Sequence, residues 1–198
     1  MRHIIFVDGA VGVGKSTFIN ILATTFQSTL RIQDGSRNGK AHHFNAEVLP
    51  EPLHRDWTPH IVDGIGYDAL LKFLLVRKKV AIETWSKIIA SDGLQELENN
   101  VLIVERSMQG DRRVAEGKLD AFDNINVEYC GESVHYVFIK NVENGANDEQ
   151  LRLNLLYNEL ELCGLSDALR SVHRIQRPRH ISSYHAEAAG IVRGVLGI

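Results

Sequence analysis

The residues best suited to chemistry form a glycine-rich run near the start of the chain. Gly9-Ala10-Val11-Gly12-Val13-Gly14-Lys15-Ser16 fits the pattern Gly-x-x-x-x-Gly-Lys-Ser without a mismatch, and Thr17 follows it. Glycines let the backbone wrap closely and aim N–H groups at phosphate oxygens, and a helix start adds partial positive charge. In such a loop the lysine reaches the β- and γ-phosphates and the serine hydroxyl binds Mg²⁺. Residues 9–17 are therefore predicted to bind a nucleoside triphosphate with Mg²⁺.

The residues on either side of this run supply the context that a phosphate-binding loop needs. The apolar run Ile4-Ile5-Phe6-Val7 precedes it, and Phe18, Leu22 and Phe26 follow on one face of a helical pattern. A chance glycine-rich turn before a helix is the alternative. Eight positions in register, together with a strand before and a helix after, favour the phosphate-binding loop.

A second candidate is a glutamate at the end of a short apolar segment. Glu51 lies between Pro50 and Pro52, and prolines cannot continue a central strand. Ligands bind at the carboxyl ends of strands in open α/β sheets, so Glu51 is placed to act as a general base. Taken alone, an ordinary loop glutamate is the commoner case. Trp57, further on, either covers a planar ligand or belongs to the core.

A third candidate lies at the tip of a buried strand predicted over residues 101–104. Glu105 follows this strand directly, where a carboxylate of a Mg²⁺ site is expected in a chain with a phosphate loop. Arg106 is a permanent cation with bidentate geometry. A surface ion pair is the alternative for Arg106, and its place at a strand tip favours a functional role. Asp111 follows after about one helical turn.

Helical and strand patterns alternate along the whole chain. Helices are predicted over residues 15–27, 67–90, from 148 onward, and over 186–196, with strands at 3–7, 47–49, 101–104, 134–139 and 172–176. Residues 33–40 are predicted to form an exposed loop. The long second helix carries an apolar stripe that includes Leu74, Ala81 and Ile88, and the helix from 148 carries Leu151, Leu155 and Leu156. Lys72, Lys78, Lys79 and Lys87 are assigned to a solvated face. This order predicts an α/β fold with a parallel sheet and helices on both faces.

Composition limits the class of protein further. The chain has 198 residues, 44% of them hydrophobic, which suits one domain over 1–198. The net charge of −3 gives no broad attraction to nucleic acid or to an anionic membrane. Neither Cys130 nor Cys163 belongs to a Cys-x-x-Cys pair, so a reduced, cytoplasmic protein is expected. Asp8 ends the first apolar run too early for a signal sequence, and no run reaches membrane-spanning length.

Three blocks in a fixed order resemble the deoxynucleoside kinase family, which includes the herpesvirus-type thymidine kinases. They are the glycine loop, Glu51-Pro52 with Trp57, and Glu105-Arg106-Ser107 with Asp111. The resemblance covers the chain from about residue 3 to residue 113. It implies a P-loop kinase fold that transfers the γ-phosphoryl of ATP to the 5′-hydroxyl of a deoxynucleoside, with Mg²⁺, in DNA precursor synthesis or nucleotide salvage. It also suggests a homodimer.

The resemblance implies a role for each matching residue. At the reacting groups, Glu51 takes the proton of the 5′-hydroxyl, Arg106 binds near that hydroxyl and the phosphoryl group, and Glu105 lies beside Mg²⁺. Around the nucleoside, Asp111 holds the nucleobase and Trp57 lines the substrate cleft. Tyr67 meets the sugar, and Glu149 reaches the sugar 3′-hydroxyl. Lys15 and Arg106 supply positive charge where negative charge develops. Phosphoryl transfer depends mainly on such positioning and neutralisation.

The sequence also departs from the family pattern, most seriously at the lid. The spacing from Glu51 to Trp57 is one residue longer than the pattern, and no glutamine lies between Trp57 and Leu94 to read the base. The arginine-rich lid is missing, because residues 141–147 contain no arginine. A short lid is therefore expected. Arg152 or the arginines at 170, 174, 177 and 179 are the candidates to replace its cations.

Two other functions stay open at the level of sequence. A nucleoside monophosphate kinase of the thymidylate type shares the fold and the loop, and it needs an extra basic group for the acceptor phosphate. Arg112 and Arg113 could serve in that role. The poor lid also allows a nucleotide-binding protein with little catalysis that works through a partner. The base preference is left open.

Overall fold

The structure, a computed structural model, describes residues 2–34, 46–51, 66–91, 100–114, 125, 127, 129, 131–141, 148–162, 168–177 and 180–198. Strands and helices alternate strictly within these residues. In chain order they are β1 Arg2–Gly9, α1 Lys15–Asp34, β2 Ala46–Leu49, α2 Tyr67–Ser91, β3 Asn100–Glu105, α3 Met108–Val114, β4 Glu132–Lys140, α4 Asp148–Leu162, β5 Leu169–Gln176 and α5 Ile181–Leu196. None of these helices is long and apolar enough to cross a bilayer.

The five strands form one sheet in the order β2-β3-β1-β4-β5, and every neighbouring pair is parallel. The carboxyl ends of all strands therefore meet at one edge of the sheet. β1 lies in the centre, between β3 and β4, and the chain leaves it first to one side and later to the other. Such a switch point is where ligands bind in open α/β sheets.

Alternating side chains of the strands build two apolar layers, one on each face of the sheet. Ile5 and Val7 of β1 pack with buried residues of α1 and α5, such as Phe18 and Ile191. Residues on the other face of β1 pack with α2 and α4. Buried parallel strands need this cover on both faces, which explains their continuous apolar runs. The predicted α/β fold with helices on both faces is confirmed.

Two helices are longer than the sequence patterns indicated. α1 continues to Asp34 instead of ending near Gln27, so the predicted loop is wrong for Gln33 and Asp34. The hydroxyls of Thr24, Thr25 and Ser28 donate to backbone carbonyl oxygens four residues earlier in the same helix. α5 likewise begins at Ile181, five residues before the predicted start.

The apolar faces of α2 and α4 also differ from the predicted stripes. In α2, Ile88 is half-exposed, whereas Leu75 is fully buried. In α4, Leu151 and Leu155 are exposed, and Leu153 is buried in their place. Leucines on several faces of a helix leave its orientation undecided until the neighbouring elements are packed. Helix propensity fixed the element but not its rotation.

A row of histidines crosses the interior of the sheet from β1 to β5. His135 Nε2 lies 3.2 Å from His3 Nδ1, and His135 Nδ1 lies 2.7 Å from Ser171 Oγ. Ser171 Oγ lies 2.9 Å from His173 Nε2. Burial lowers the pKa of His135 to about 3, and the neighbouring His3, His173 and Arg170 act in the same direction. The folded protein therefore keeps His135 neutral at any ordinary pH.

This row predicts an acid-sensitive contribution to stability. The unfolded chain protonates His135 near pH 6.5, whereas the folded chain does not until about pH 3. The stabilisation that depends on neutral His135 is present above pH 6.5 and is lost as the pH falls below that value. Between pH 7 and pH 5.5 the wild type should lose about 1 kcal/mol more free energy of unfolding than His135→Gln. Urea unfolding at both pH values tests this, and parallel losses in the two proteins would contradict it.

Candidate phosphoryl-transfer site

The glycine loop joins the carboxyl end of β1 to the start of α1. Gly12 and Gly14 have φ angles of 76° and 97°, a conformation that disfavours residues with side chains. Lys15 is buried, and its Nζ donates to the carbonyl oxygens of Gly9 at 3.0 Å and Ala10 at 3.2 Å. Burial lowers the pKa of Lys15, and the positive charge of Arg106 lowers it further. The loop thus has the backbone shape and the cation that a phosphate requires.

A tyrosine from α5 packs against the glycine loop and donates a hydrogen bond to it. Tyr184 is buried, and its hydroxyl donates to the carbonyl oxygen of Val13 at 3.1 Å. Its ring lies 5.2 Å from that of Phe18. A Cβ at Gly14 would stand 3.1 Å from the Tyr184 hydroxyl, so this glycine also serves close packing. The sequence contains no local signal for the contact between Gly14 and Tyr184, because these residues are 170 positions apart.

The two residues predicted to serve Mg²⁺ lie in contact. Ser16 Oγ donates to Glu105 Oε1 at 2.8 Å, and Glu105 Oε2 accepts the Glu51 backbone N–H at 3.2 Å. A hydroxyl and a carboxylate offer the hard oxygen ligands that Mg²⁺ prefers, and Mg²⁺ usually takes its other ligands from water and substrate phosphates. Within the described ranges no cluster of three or more His, Cys, Asp or Glu forms a metal site by itself. The pair therefore fits a Mg²⁺ ion held jointly with a nucleotide.

Arg106 lies at the centre of the site and is almost fully buried. Its Nε donates to Glu51 Oε1 at 3.1 Å, and its Nη2 donates to Glu149 Oε1 at 3.2 Å. Asp111 Oδ1 is 3.7 Å from the same Nε. Burial opposes the charge, but Glu51, Asp111, Asp8 and Glu149 outweigh it and raise the pKa of Arg106. The guanidinium is thus a fixed cation that three carboxylates hold in place.

Glu149 connects this cation to the glycine loop. It stands in the first turn of α4, and its Oε2 accepts the backbone N–H of Val11 at 3.2 Å while Oε1 contacts Arg106. The structure therefore brings Glu149 to the site that the sequence assigned to it. Its proposed contact with a sugar hydroxyl stays a prediction.

Lys78 of α2 is a site residue that the sequence reasoning missed. It was assigned to a solvated face, which is wrong: it is buried, forms an ion pair with Asp111, and donates to the backbone oxygen of Arg106 at 2.9 Å. Burial raises the pKa of Asp111 to about 6, against the opposing effect of Lys78. A signal did exist, because Lys78 lies three residues after Leu75 and four before Ile82, both fully buried on the same helix face.

A cavity of about 590 Å³ opens beside these groups, between α1, β2 and α2. Its polar end contains Ser16, Glu51, Glu105, Lys78 and Asp111, and its walls are largely apolar. This arrangement suits a compact molecule with one polar end at the glycine loop. Trp57 lies outside the described residues. Tyr67 begins α2, and the structure does not describe its side chain.

One of the candidate replacements for the lid arginines, Arg174, contacts α4 in the structure. Arg174 donates to Asn154 Oδ1 at 2.9 Å and covers the ring of Tyr157 on α4. Arg179 and residues 142–147 are outside the described part of the chain. Arg174 is thus engaged with α4, and a lid role for any of the candidate arginines stays a prediction.

Comparison with known proteins supports the fold. No family model matches the sequence, and no curated protein matches it. Thymidylate kinase from Ehrlichia chaffeensis is similar in structure, with a TM-score of 0.61 and 13% identity over 96% of this chain and 98% of that chain. The fold is that of the P-loop kinases. In this P-loop kinase fold, the glycine loop follows the central strand β1. The Glu51–Arg106 pair lies beside the loop, at the carboxyl end of the neighbouring strand β3.

Proposed function

We propose that the protein is an ATP-dependent kinase that phosphorylates the 5′-hydroxyl of a deoxynucleoside, giving a monophosphate and ADP. The observation that supports this most is the contact of Glu51 with Arg106 at 3.1 Å, next to the glycine loop and the cavity. A carboxylate and a guanidinium held together at this place suit an acceptor hydroxyl on one side and a phosphoryl group on the other. The order of sequence blocks, which resembles the deoxynucleoside kinases, agrees with this proposal.

In this function the protein mainly orients groups and neutralises charge. Glu51 is partly exposed to the cavity, so it can accept the proton of an entering hydroxyl as the oxygen attacks phosphorus. Arg106 and Lys15 lie where negative charge develops, and both are buried, which strengthens their effect. Ser16 and Glu105 would hold Mg²⁺, which supplies further positive charge to the phosphates.

The charges of the site favour a neutral acceptor over an anionic one. Lys78 and Arg106 are both buried and already paired with carboxylates. Arg112, a candidate for binding an acceptor phosphate, is buried and donates instead to the backbone oxygen of Ile125 at 2.8 Å. A phosphate entering beside Glu51 would meet a like charge. A nucleoside hydroxyl carries no such cost.

A nucleoside monophosphate kinase of the thymidylate type is the second candidate. Its support is the structural similarity to a thymidylate kinase, and the comparisons favour it over the nucleoside as acceptor. Arg77 gives this candidate a concrete basis, because it also lines the cavity and is exposed there. A monophosphate acceptor would use this arginine, whereas a nucleoside acceptor would depend on it less.

Transfer of labelled γ-phosphate from ATP to thymidine, thymidylate and the other deoxynucleosides separates the candidates. We expect the nucleosides to be phosphorylated, and Arg77→Ala to keep most of that turnover. Turnover of thymidylate alone, lost in Arg77→Ala, would establish the second candidate. ATP binding without transfer to any acceptor would favour a nucleotide-binding protein with little catalysis. Lys15→Ala serves as the control for contaminating kinases, because it removes the cation of the loop.

A further inference from the structure

The backbone of Arg106 has an unusual conformation. Its φ angle is 62°, and it is the one non-glycine residue with positive φ in the described part of the chain. An arginine pays a steric cost there, since its Cβ crowds the neighbouring carbonyl oxygen. Such strain persists only where the surroundings over-determine the conformation, and it often marks functional sites. Specific neighbouring groups must therefore hold Arg106 in this conformation.

Three hydrogen bonds anchor the turn at Arg106. Its N–H donates to the Val7 carbonyl oxygen at 2.9 Å, and its own carbonyl oxygen accepts Lys78 Nζ at 2.9 Å. The next N–H, that of Ser107, donates to Asp8 Oδ1 at 3.0 Å. Two of the three anchors come from the end of β1, directly before Gly9. The glycine loop and Arg106 are therefore fixed to one another through the same strand end.

Asp8 is built into this position. It is fully buried, and its Oδ2 has no hydrogen-bond partner among the described residues. Gly110 of α3 packs so closely that a Cβ there would overlap Asp8 Oδ1. Burial raises the pKa of Asp8, while the Arg106 charge and the bond from Ser107 act against that rise. A buried carboxylate with one unpaired oxygen costs free energy of folding, so a carboxylate at this position indicates a specific role.

We propose that Asp8 is a positioning residue, which holds the Arg106–Ser107 turn in the left-handed conformation and so aims the guanidinium at Glu51 and Glu149. The inference rests on the proposed function, because it is the transfer reaction that needs Arg106 aimed in this way. Asp8 itself does not touch the reacting groups. It acts through the backbone, and its carboxylate links the donor loop to the cation that serves the acceptor.

Asp8→Ala and Asp8→Asn test the proposal. In Asp8→Ala, kcat should fall about a hundredfold, the scale of a small misplacement of a catalytic group. Asp8→Asn, which keeps an acceptor oxygen but loses the charge, should fall less. Binding of ADP, measured by titration calorimetry, should stay within about twofold of the wild type, because the loop contacts remain. Thermal melts confirm that each variant is folded.

The Arg106→Lys background separates positioning from general damage. Without the guanidinium, Asp8→Ala should have little further effect on kcat, since residues that act through one group are not additive. An equal fall in both backgrounds would overturn the proposal. So would a loss of kcat in Asp8→Ala that comes with an equal loss of ADP affinity.

A second readout does not depend on activity. The Arg106 Nε–H signal in NMR spectra of arginine-labelled protein, identified by its absence in Arg106→Lys, should shift or broaden in both Asp8 variants as the bond to Glu51 loosens. An unchanged signal would overturn the role of Asp8, even if the wild type phosphorylates nucleosides. Conversely, a changed signal in a protein that phosphorylates no acceptor would reject the proposed function and keep the structural role.

Discussion

Glu51→Gln is expected to lower kcat about a hundredfold or more, the typical loss for a general base. The glutamine keeps the size of the side chain, and its oxygen can still accept the Arg106 Nε–H, which now spans 3.1 Å to Glu51 Oε1. What it loses is the capacity to take a proton from a hydroxyl. The fall should appear in kcat at saturating ATP and acceptor, whereas ADP binding should be unchanged, since the glycine loop is intact.

Glu47→Gln is the matched control for this variant. Glu47 lies on strand β2, four residues before Glu51, and its side chain is exposed. The same chemical change there should leave kcat within about twofold, as is usual for surface substitutions. If Glu51→Gln turned over as fast as Glu47→Gln, Glu51 would have no role as a base. Proton removal would then need another group or solvent.

The centre of the site could be predicted from the sequence because its parts are local motifs on parallel strands. The glycine loop specifies its own turn and the start of α1, and buried apolar runs specify the central strands. Parallel strands end at one edge, so Glu51, Glu105 and Arg106 had to lie near the loop. The structure agrees, because hydrogen bonds link Ser16 to Glu105, Glu105 to the Glu51 backbone, and the Glu51 carboxylate to Arg106.

The residues that the sequence did not reveal depend on packing between distant elements. Lys78 looks like a surface lysine until α2 is rotated against α3, where Asp111 meets it. Tyr184 supports the loop only because α5 packs beside α1. The strain at Arg106 is invisible in its residue type, since arginine favours no left-handed conformation. These contacts depend on tertiary packing, and among the three residues only Lys78 had a local signal, its spacing from the apolar Leu75 and Ile82 on one helix face.

Charge balance in the site connects these unpredicted contacts with the choice of acceptor. Arg106 is shared by Glu51, Glu149 and Asp111, while Lys78 compensates the last of these. Arg106 and Lys78 therefore already have carboxylate partners before any acceptor binds. The negative charge of the transferred phosphoryl group enters the site together with Mg²⁺, which offsets it. An acceptor phosphate would bring negative charge without such a cation. This pairing of charges is the reason for proposing an uncharged acceptor.

Arg106→Lys is expected to lower kcat about a thousandfold, at the lower end of what an arginine at the transferring phosphoryl is worth. The substitution keeps the positive charge, so the three neighbouring carboxylates are not left beside a neutral side chain. It removes the planar fork, in which Nε reaches Glu51 while Nη2 reaches Glu149. A single ammonium cannot hold both partners and still face a phosphoryl group. Arg193→Lys, at an exposed position in the last turn of α5, is the matched control and should keep full activity.

The effect of Arg106→Lys on KM distinguishes two uses of the fork. If Arg106 acts mainly in the transition state, kcat and kcat/KM for the acceptor fall together, and KM stays near its wild-type value. If Arg106 only binds the acceptor in the ground state, KM rises while kcat is kept. We expect the first pattern, because a guanidinium already bonded to two carboxylates gains most when charge develops on the phosphoryl oxygens next to it. A rise in KM alone would restrict Arg106 to binding and leave Lys15 as the cation of the transfer step.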